Sequence, residues 1–131
     1  MLSRAHRLAD RAAIRTLLSS RQRCWLPLVG LRISRTNRTT LRFVFIISTK
    51  VSKRAVERNR IRRHLREGIR QLLPQLASGH DVAIIATPAA KGASGPHLRE
   101  QLTRAALRLG LLQAENPNTQ ALHREAGSRQ L

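Results

Sequence analysis

Between Lys50 and Arg70 the chain carries nine cations, Lys50, Lys53, Arg54, Arg58, Arg60, Arg62, Arg63, Arg66 and Arg70, against two acids, Glu57 and Glu67. Guanidinium groups grip phosphate oxygens in pairs and stack on planar bases, so the chemistry these residues offer is anion binding. Arg54, Arg58, Arg62, Arg66 and Arg70 recur at every fourth residue. On a helix that spacing stacks like charges as neighbours, at a cost of about a few tenths of a kcal/mol per pair. Ordinary solvated helix faces mix both signs. Two glutamates cannot neutralise this ridge, but an external polyanion could.

Catalytic groups are harder to find. Metal-dependent nucleases need clustered carboxylates, and the seven acids of this chain are scattered. The five histidines show no metal-ligand spacing, and no metal-binding residues are expected. His64 falls on the polar side of the basic stretch and reads as solvated or anion-facing rather than as a general base. Cys24, the single cysteine, excludes an intramolecular disulfide and fits a reducing compartment; beside Trp25 it reads as core or strand edge. Gly92-Ala93-Ser94-Gly95 is too short and misplaced for a phosphate loop, and Ser94-Gly95 is not a nucleophile elbow. The protein is thus expected to bind a polyanion without catalytic residues of its own.

The elements that must position these cations follow from periodicity. From Lys53 to Leu73 only Gly68 interrupts good helix formers, Ser52 can serve as N-cap, and Pro74 stops the run. Ile61, Leu65, Gly68, Ile69, Leu72 and Leu76 fall on one face at about 100° per residue. Arg60, Arg63, Arg66 and Arg70, with Asn59, fall on the other. Arg58 shares the azimuth of Ile61 and Leu65 and is expected to turn toward the body; Arg60 is expected to point outward. Leu41 to Ile47 alternates Phe43, Phe45 and Ile47 against Val44 and Ile46, the pattern of a central strand covered on both sides. Leu26 to Ser34 reads as another strand with Pro27 at a start, edge or bulge, and Arg35 to Thr39 as a hairpin turn. After Ser78-Gly79-His80, Asp81 opens an apolar strand, Val82 to Ala86, stopped by Pro88. Strand, helix, strand implies a parallel pair.

At the N-terminus Leu8, Ile14, Leu17 and Leu18 make a helical stripe over about Leu8 to Ser19, although an arginine-rich segment with one acid also has the composition of an organellar targeting peptide. Near the other end Leu98, Leu102, Ala105, Leu109 and Leu112 mark an amphipathic helix with Pro96 in its first turn. Its Arg99, Arg104 and Arg108 read as solvated charge. Residues 113–131 have little apolar content and no period, and are expected to form a disordered tail. With 131 residues the chain suits one domain that buries roughly two thirds of its unfolded surface, and an aromatic content of 2% makes the core aliphatic. A formal charge of +18 points to a polyanionic partner. Only Lys50, Lys53 and Lys91 are lysine, a bias that a GC-rich coding sequence would also produce. No run reaches the roughly 20 apolar residues of a membrane span, so no membrane partner is expected.

The central motif resembles that of the bacterial ribonuclease P protein component. The family pattern is roughly V-S-K-K, a basic stretch, A-V, one residue, R-N-R-I-K-R, then L-R-E. This chain reads Ile47-Ser48-Thr49-Lys50, Ala55-Val56-Glu57, Arg58-Asn59-Arg60-Ile61-Arg62-Arg63 and Leu65-Arg66-Glu67. His6-Arg7-Leu8 is similar to the family's N-R-L opening and supports a folded first helix. The resemblance covers about residues 4 to 112. It implies an α+β fold, an α/β two-layer sandwich of order α-β-β-β-α-β-α with a mixed sheet and a left-handed β-α-β crossover, as a single domain over residues 1–112.

It also implies a function: the protein subunit of ribonuclease P, an endoribonuclease that removes the 5′ leader of precursor tRNA. The RNA subunit would be the catalyst and would hold Mg²⁺. The protein would bind the catalytic RNA and the leader in the cytoplasm, with no protein partner required. Residue by residue, Arg58, Asn59, Arg60, Arg62 and Arg63 would contact the catalytic RNA, with Lys50, Lys53, Arg54 and Arg66 extending the patch. A leader cleft would lie by Arg7, Ile14 and Leu18, between the first helix and the sheet. The family commonly has phenylalanine where Ile14 and Leu18 stand, a glycine near Arg21, and often glycine in place of Val44. The missing aromatics should weaken base stacking there by up to about 1–3 kcal/mol per platform. The alternatives are a ribosomal or other structural RNA-binding protein, and a DNA-binding regulator reading duplex with the basic helix. No dimer seam supports the regulator.

Overall fold

The computed structural model describes residues 4–112, and the tail expected over 113–131 lies outside them. Helix α1 (Arg11–Leu18) starts at Asp10, whose carboxylate accepts the Ala12 N–H at 3.0 Å. This satisfies one of the donors that a helix start leaves free. Leu8 precedes the helix instead of opening it. Three strands follow, β1 (Arg23–Trp25), β2 (Val29–Arg35) and β3 (Arg42–Ile46), then α2 (Ala55–Leu72), β4 (His80–Ala86) and α3 (Gly95–Arg108). The order α-β-β-β-α-β-α is therefore present, in a mixed α+β fold.

The sheet runs β1-β2-β4-β3; β4 is antiparallel to β2 and parallel to β3. Three strand expectations are corrected. The stretch from Leu26 to Ser34 is not one strand: the chain turns at Pro27-Leu28, with Leu26 N–H donating to Val29 C=O at 2.9 Å, and β1 and β2 pair across that turn. The turn's polar groups are satisfied from afar, because the buried Gln101 accepts the Leu28 N–H and Thr87 donates to Pro27 C=O. Arg35 to Thr39 is not a hairpin either, since β4 inserts between β2 and β3, and Thr36 N–H bonds Gly79 C=O across the end of β4. Nor is β3 central. It is an edge strand whose outer side is bridged by Arg7 and bonded by the Leu8 N–H, both at Phe43. Its two apolar faces arise because layers cover it above and below, which needs no strand on each side.

Alternation along β4 divides the layers. Val82 and Ile84 join Leu31, Ile61, Leu65 and Leu102 in the main core under α2 and α3. Ala83 and Ile85 face the other way and pack with Leu8, Leu17, Ile14 and Val44 under α1. Gly68, in mid-helix, lets α3 close on α2: a Cβ there would stand 3.0 Å from Leu102 Cδ2 and 3.2 Å from Arg99 Cγ. The roughly 1 kcal/mol that glycine costs a helix is offset by this approach. The helix is shorter at its start than expected. Arg54 occupies the N-cap position without a side-chain bond, and Ser52 lies earlier, its hydroxyl accepting the Arg54 N–H at 3.2 Å. At the other end Pro74 sits inside a single 3₁₀ turn, Leu73–Gln75, that carries the chain out of the helix.

Candidate nucleic-acid interface

Every cation of the central motif has a definite place. Lys50, Lys53 and Arg54 are exposed in the turn leading into α2, and Asn59 and Arg63 are exposed on the helix. The ridge of arginines at four-residue spacing is relieved by sending successive members to different partners. Arg58 donates from Nη1 to Ser52 C=O at 3.0 Å, Arg62 from Nη1 to Asn59 Oδ1 at 2.8 Å, and Arg70 pairs with Glu67. Arg66 places its guanidinium carbon 5.7 Å from the centre of the Phe45 ring, within cation–π range. Arg58 thus clasps the helix start to the body, as its azimuth requires.

Arg60 departs from its expected outward course. It is half-buried, forks onto Glu57 through Nε at 3.2 Å and Nη2 at 2.9 Å, and also donates to Ala93 C=O at 3.0 Å. Glu57 in turn accepts the Gly92 N–H at 3.1 Å. The Arg60 hydrogen bond, then the Gly92 amide, lower the Glu57 pKa to about 2. This bracket ties the first turns of α2 to the loop before α3, which helical phase could not reveal because the loop partners lie 33 and 35 residues downstream. His64 is also drawn inward, where it accepts from Arg99 Nη1 at 3.3 Å through Nδ1, a role only an unprotonated nitrogen can fill, since guanidinium has no acceptor. Burial first, then the charges of Arg60, Arg99 and Arg63, lower its pKa. Arg99 is correspondingly half-buried between the helices instead of solvated, while Arg104 pairs with Glu100.

On the opposite sheet face Ile14 is half-buried and Leu18 is 37% exposed on α1. Arg7 is exposed in the segment bridging β3 at Phe43. That face holds groups the sequence reading did not single out. Arg42 forks onto the buried Asp81 at 2.9 and 2.8 Å. Arg23 lies directly opposite Arg32, and Trp25 opposite Gly30. Only strand register brings these pairs together, so no local signal marked them. Among the described residues no three His, Cys, Asp or Glu side chains gather into a metal-binding group, and no helix is long and apolar enough to cross a membrane.

A four-stranded mixed sheet flanked by helices, with a guanidinium-rich helix linking its two parallel strands, defines a basic α+β protein of the nucleic-acid-binding kind. The chain belongs to the ribonuclease P protein family, whose model, described as Ribonuclease P, matches residues 2–110. It is 40% identical over 109 residues to the ribonuclease P protein component of Xanthomonas oryzae, covering 83% of this chain and 74% of that one. The component from Chloroflexus aurantiacus is 34% identical over 119 residues, covering 90% and 87%. The fold is shared with the RNase P protein of Staphylococcus aureus, at a TM-score of 0.77 and 18% identity over 84% of this chain and 100% of that one. The RNase P protein from Thermotoga maritima superposes with a TM-score of 0.69 at 18% identity, covering 84% and 98%.

Proposed function

We propose that the chain works as the protein subunit of a ribonuclease P holoenzyme in the cytoplasm, binding the catalytic RNA with the exposed side of α2 and precursor tRNA with the α1 side of the sheet. The observation that carries this reading is the motif from Arg58 to Arg63, standing on α2 within a chain whose family membership spans residues 2–110. Lys50, Lys53, Arg54, Arg62 and Arg63 supply phosphate-binding groups, with Asn59 orienting Arg62. Arg58, Arg60 and Arg66 present guanidinium edges already held in place by Ser52, Glu57 and Phe45. Fixed donors lose less freedom on binding than mobile ones.

The RNA subunit would perform the phosphodiester hydrolysis with Mg²⁺ that it holds itself. The protein's part is to neutralise phosphates where RNA strands crowd together and to hold the leader beside Ile14 and Leu18, with Arg7 reached from the edge of β3. The test is reconstitution with ribonuclease P RNA, assayed for leader removal from precursor tRNA at low Mg²⁺. Restored cleavage is the expected outcome. A protein that leaves cleavage at the RNA-alone rate, or that co-purifies with ribosomes instead, is a structural RNA-binding protein.

A further inference from the structure

Trp25 rests on Gly30 across the β1–β2 pair. A Cβ on Gly30 would stand 2.2 Å from Trp25 Cε3 and 2.4 Å from Cζ3, so the ring occupies the space a side chain would take. Yet the indole remains 48% exposed. Two residues along β1, on the same face of the sheet, Arg23 stands opposite Arg32. Like charges directly opposite each other destabilise a sheet. Among the described residues neither guanidinium meets a carboxylate, since the ion pairs there involve Arg42, Arg60, Arg70 and Arg104. Arg32 is held in place by donating from Nη1 to Ser20 C=O at 2.8 Å.

An open aromatic face and two cations, one of them anchored, about 7 Å away along the strand, form the pair of features that single-stranded nucleic acids meet on their binding proteins: a ring for the base and charge for the phosphate. We propose that Trp25, seated on Gly30, is a stacking platform for one unpaired base of a single-stranded RNA, with Arg23 and Arg32 gripping the phosphate beside it. The face is the one α1 covers, so the strand bound would be the precursor leader, and to that extent the assignment rests on the proposed function. The platform comes from β1 and stands apart from Ile14 and Leu18. It supplies an aromatic surface to a face whose helix has none. An apolar protein partner is disfavoured, because two uncompensated guanidinium groups flank the ring.

Trp25 is the sole tryptophan and the chain has no tyrosine, so its emission reports on this position alone. Full-length protein assembled with ribonuclease P RNA is titrated with precursor tRNA bearing a single-stranded leader, and with the same tRNA lacking it. Emission should be quenched by the first and not by the second. Trp25→Ala should weaken affinity for the leader-bearing substrate about tenfold, the equivalent of one lost stacking contact, and Trp25→Phe should restore most of it. Both variants should bind the leaderless tRNA and the catalytic RNA as wild type does. Arg23→Gln should lower the salt slope for leader-bearing substrate by about 0.7, the value for one single-strand phosphate. Unquenched emission, equal losses with and without leader, or equal losses for Ala and Phe would overturn the platform while leaving the holoenzyme reading intact. Failure of the wild-type protein to assemble with the RNA would overturn the holoenzyme reading itself.

Discussion

Two cationic surfaces of this molecule are built in opposite ways. On α2 three of the half-buried arginines have a partner close at hand, Glu57 for Arg60 and Asn59 for Arg62, three residues away, and Ser52 for Arg58, six away, while Arg66 reaches Phe45 on β3. On the α1 face of the sheet the cations meet across strands. There Arg42 is matched by Asp81, while Arg23 and Arg32 face each other and, among the described residues, neither is paired with an acid. A helix can supply polar partners for its own cations from a turn away, so these arginines are held in place before any partner arrives. A sheet imports whatever its neighbour's register supplies, and like charges left opposed are a cost that only an outside anion removes.

The largest expected effect separates partner binding from folding on α2. Changing Arg54, Arg62 and Arg63 together to alanine should reduce the salt slope of catalytic-RNA binding by about two to three units, with affinity falling by orders of magnitude and the melting temperature nearly unchanged. An unaltered slope would place that RNA elsewhere. On the sheet face, Asp81→Ala leaves the half-buried Arg42 without its fork. Urea unfolding should show a loss of about 2 kcal/mol, below the figure for a fully buried pair because Arg42 is partly solvated.

Within α2 itself, Arg60→Ala should destabilise the free protein by about 1 kcal/mol through loss of its bond to Ala93 C=O. Arg63→Ala should stay within about 0.5 kcal/mol of wild type. Comparable unfolding midpoints for the two would mean the bracket to the loop contributes nothing. The same bracket has a pH signature. The folded Glu57 pKa is depressed to about 2, so the unfolded chain takes up its proton first. The stabilisation is complete above the ordinary value of 4.5 and is lost as pH falls from there to about 2. Acid unfolding of Glu57→Gln should lack that component. His64 acts higher on the scale: its lowered pKa makes stability fall as pH drops below its ordinary value of 6.5, and His64→Asn should flatten that slope.

The smallest effect has an unusual sign. Arg23→Ala, by relieving the opposition to Arg32, should stabilise the free protein by about 0.2–1 kcal/mol while weakening its hold on single-stranded RNA. Destabilisation instead would show that the two guanidinium groups are not in conflict.

Much of this was legible in the residues themselves. The helical phase of Ile61, Leu65 and Ile69 determined which side of α2 is buried, and it correctly sent Arg58 toward the body, because both follow from the 3.6-residue period of one continuous element. The motif from Arg58 to Arg63 carried the family, and apolar runs marked β3 and β4. Tertiary structure alone decided the insertion of β4 between β2 and β3, which put β3 at the edge; the turn at Pro27; the capture of Arg60 by Glu57 and Ala93; and the meeting of Trp25 with Gly30. Each of these depends on which strands or loops become neighbours. That choice follows from burying all the layers at once, and periodicity within one segment carries no information about it.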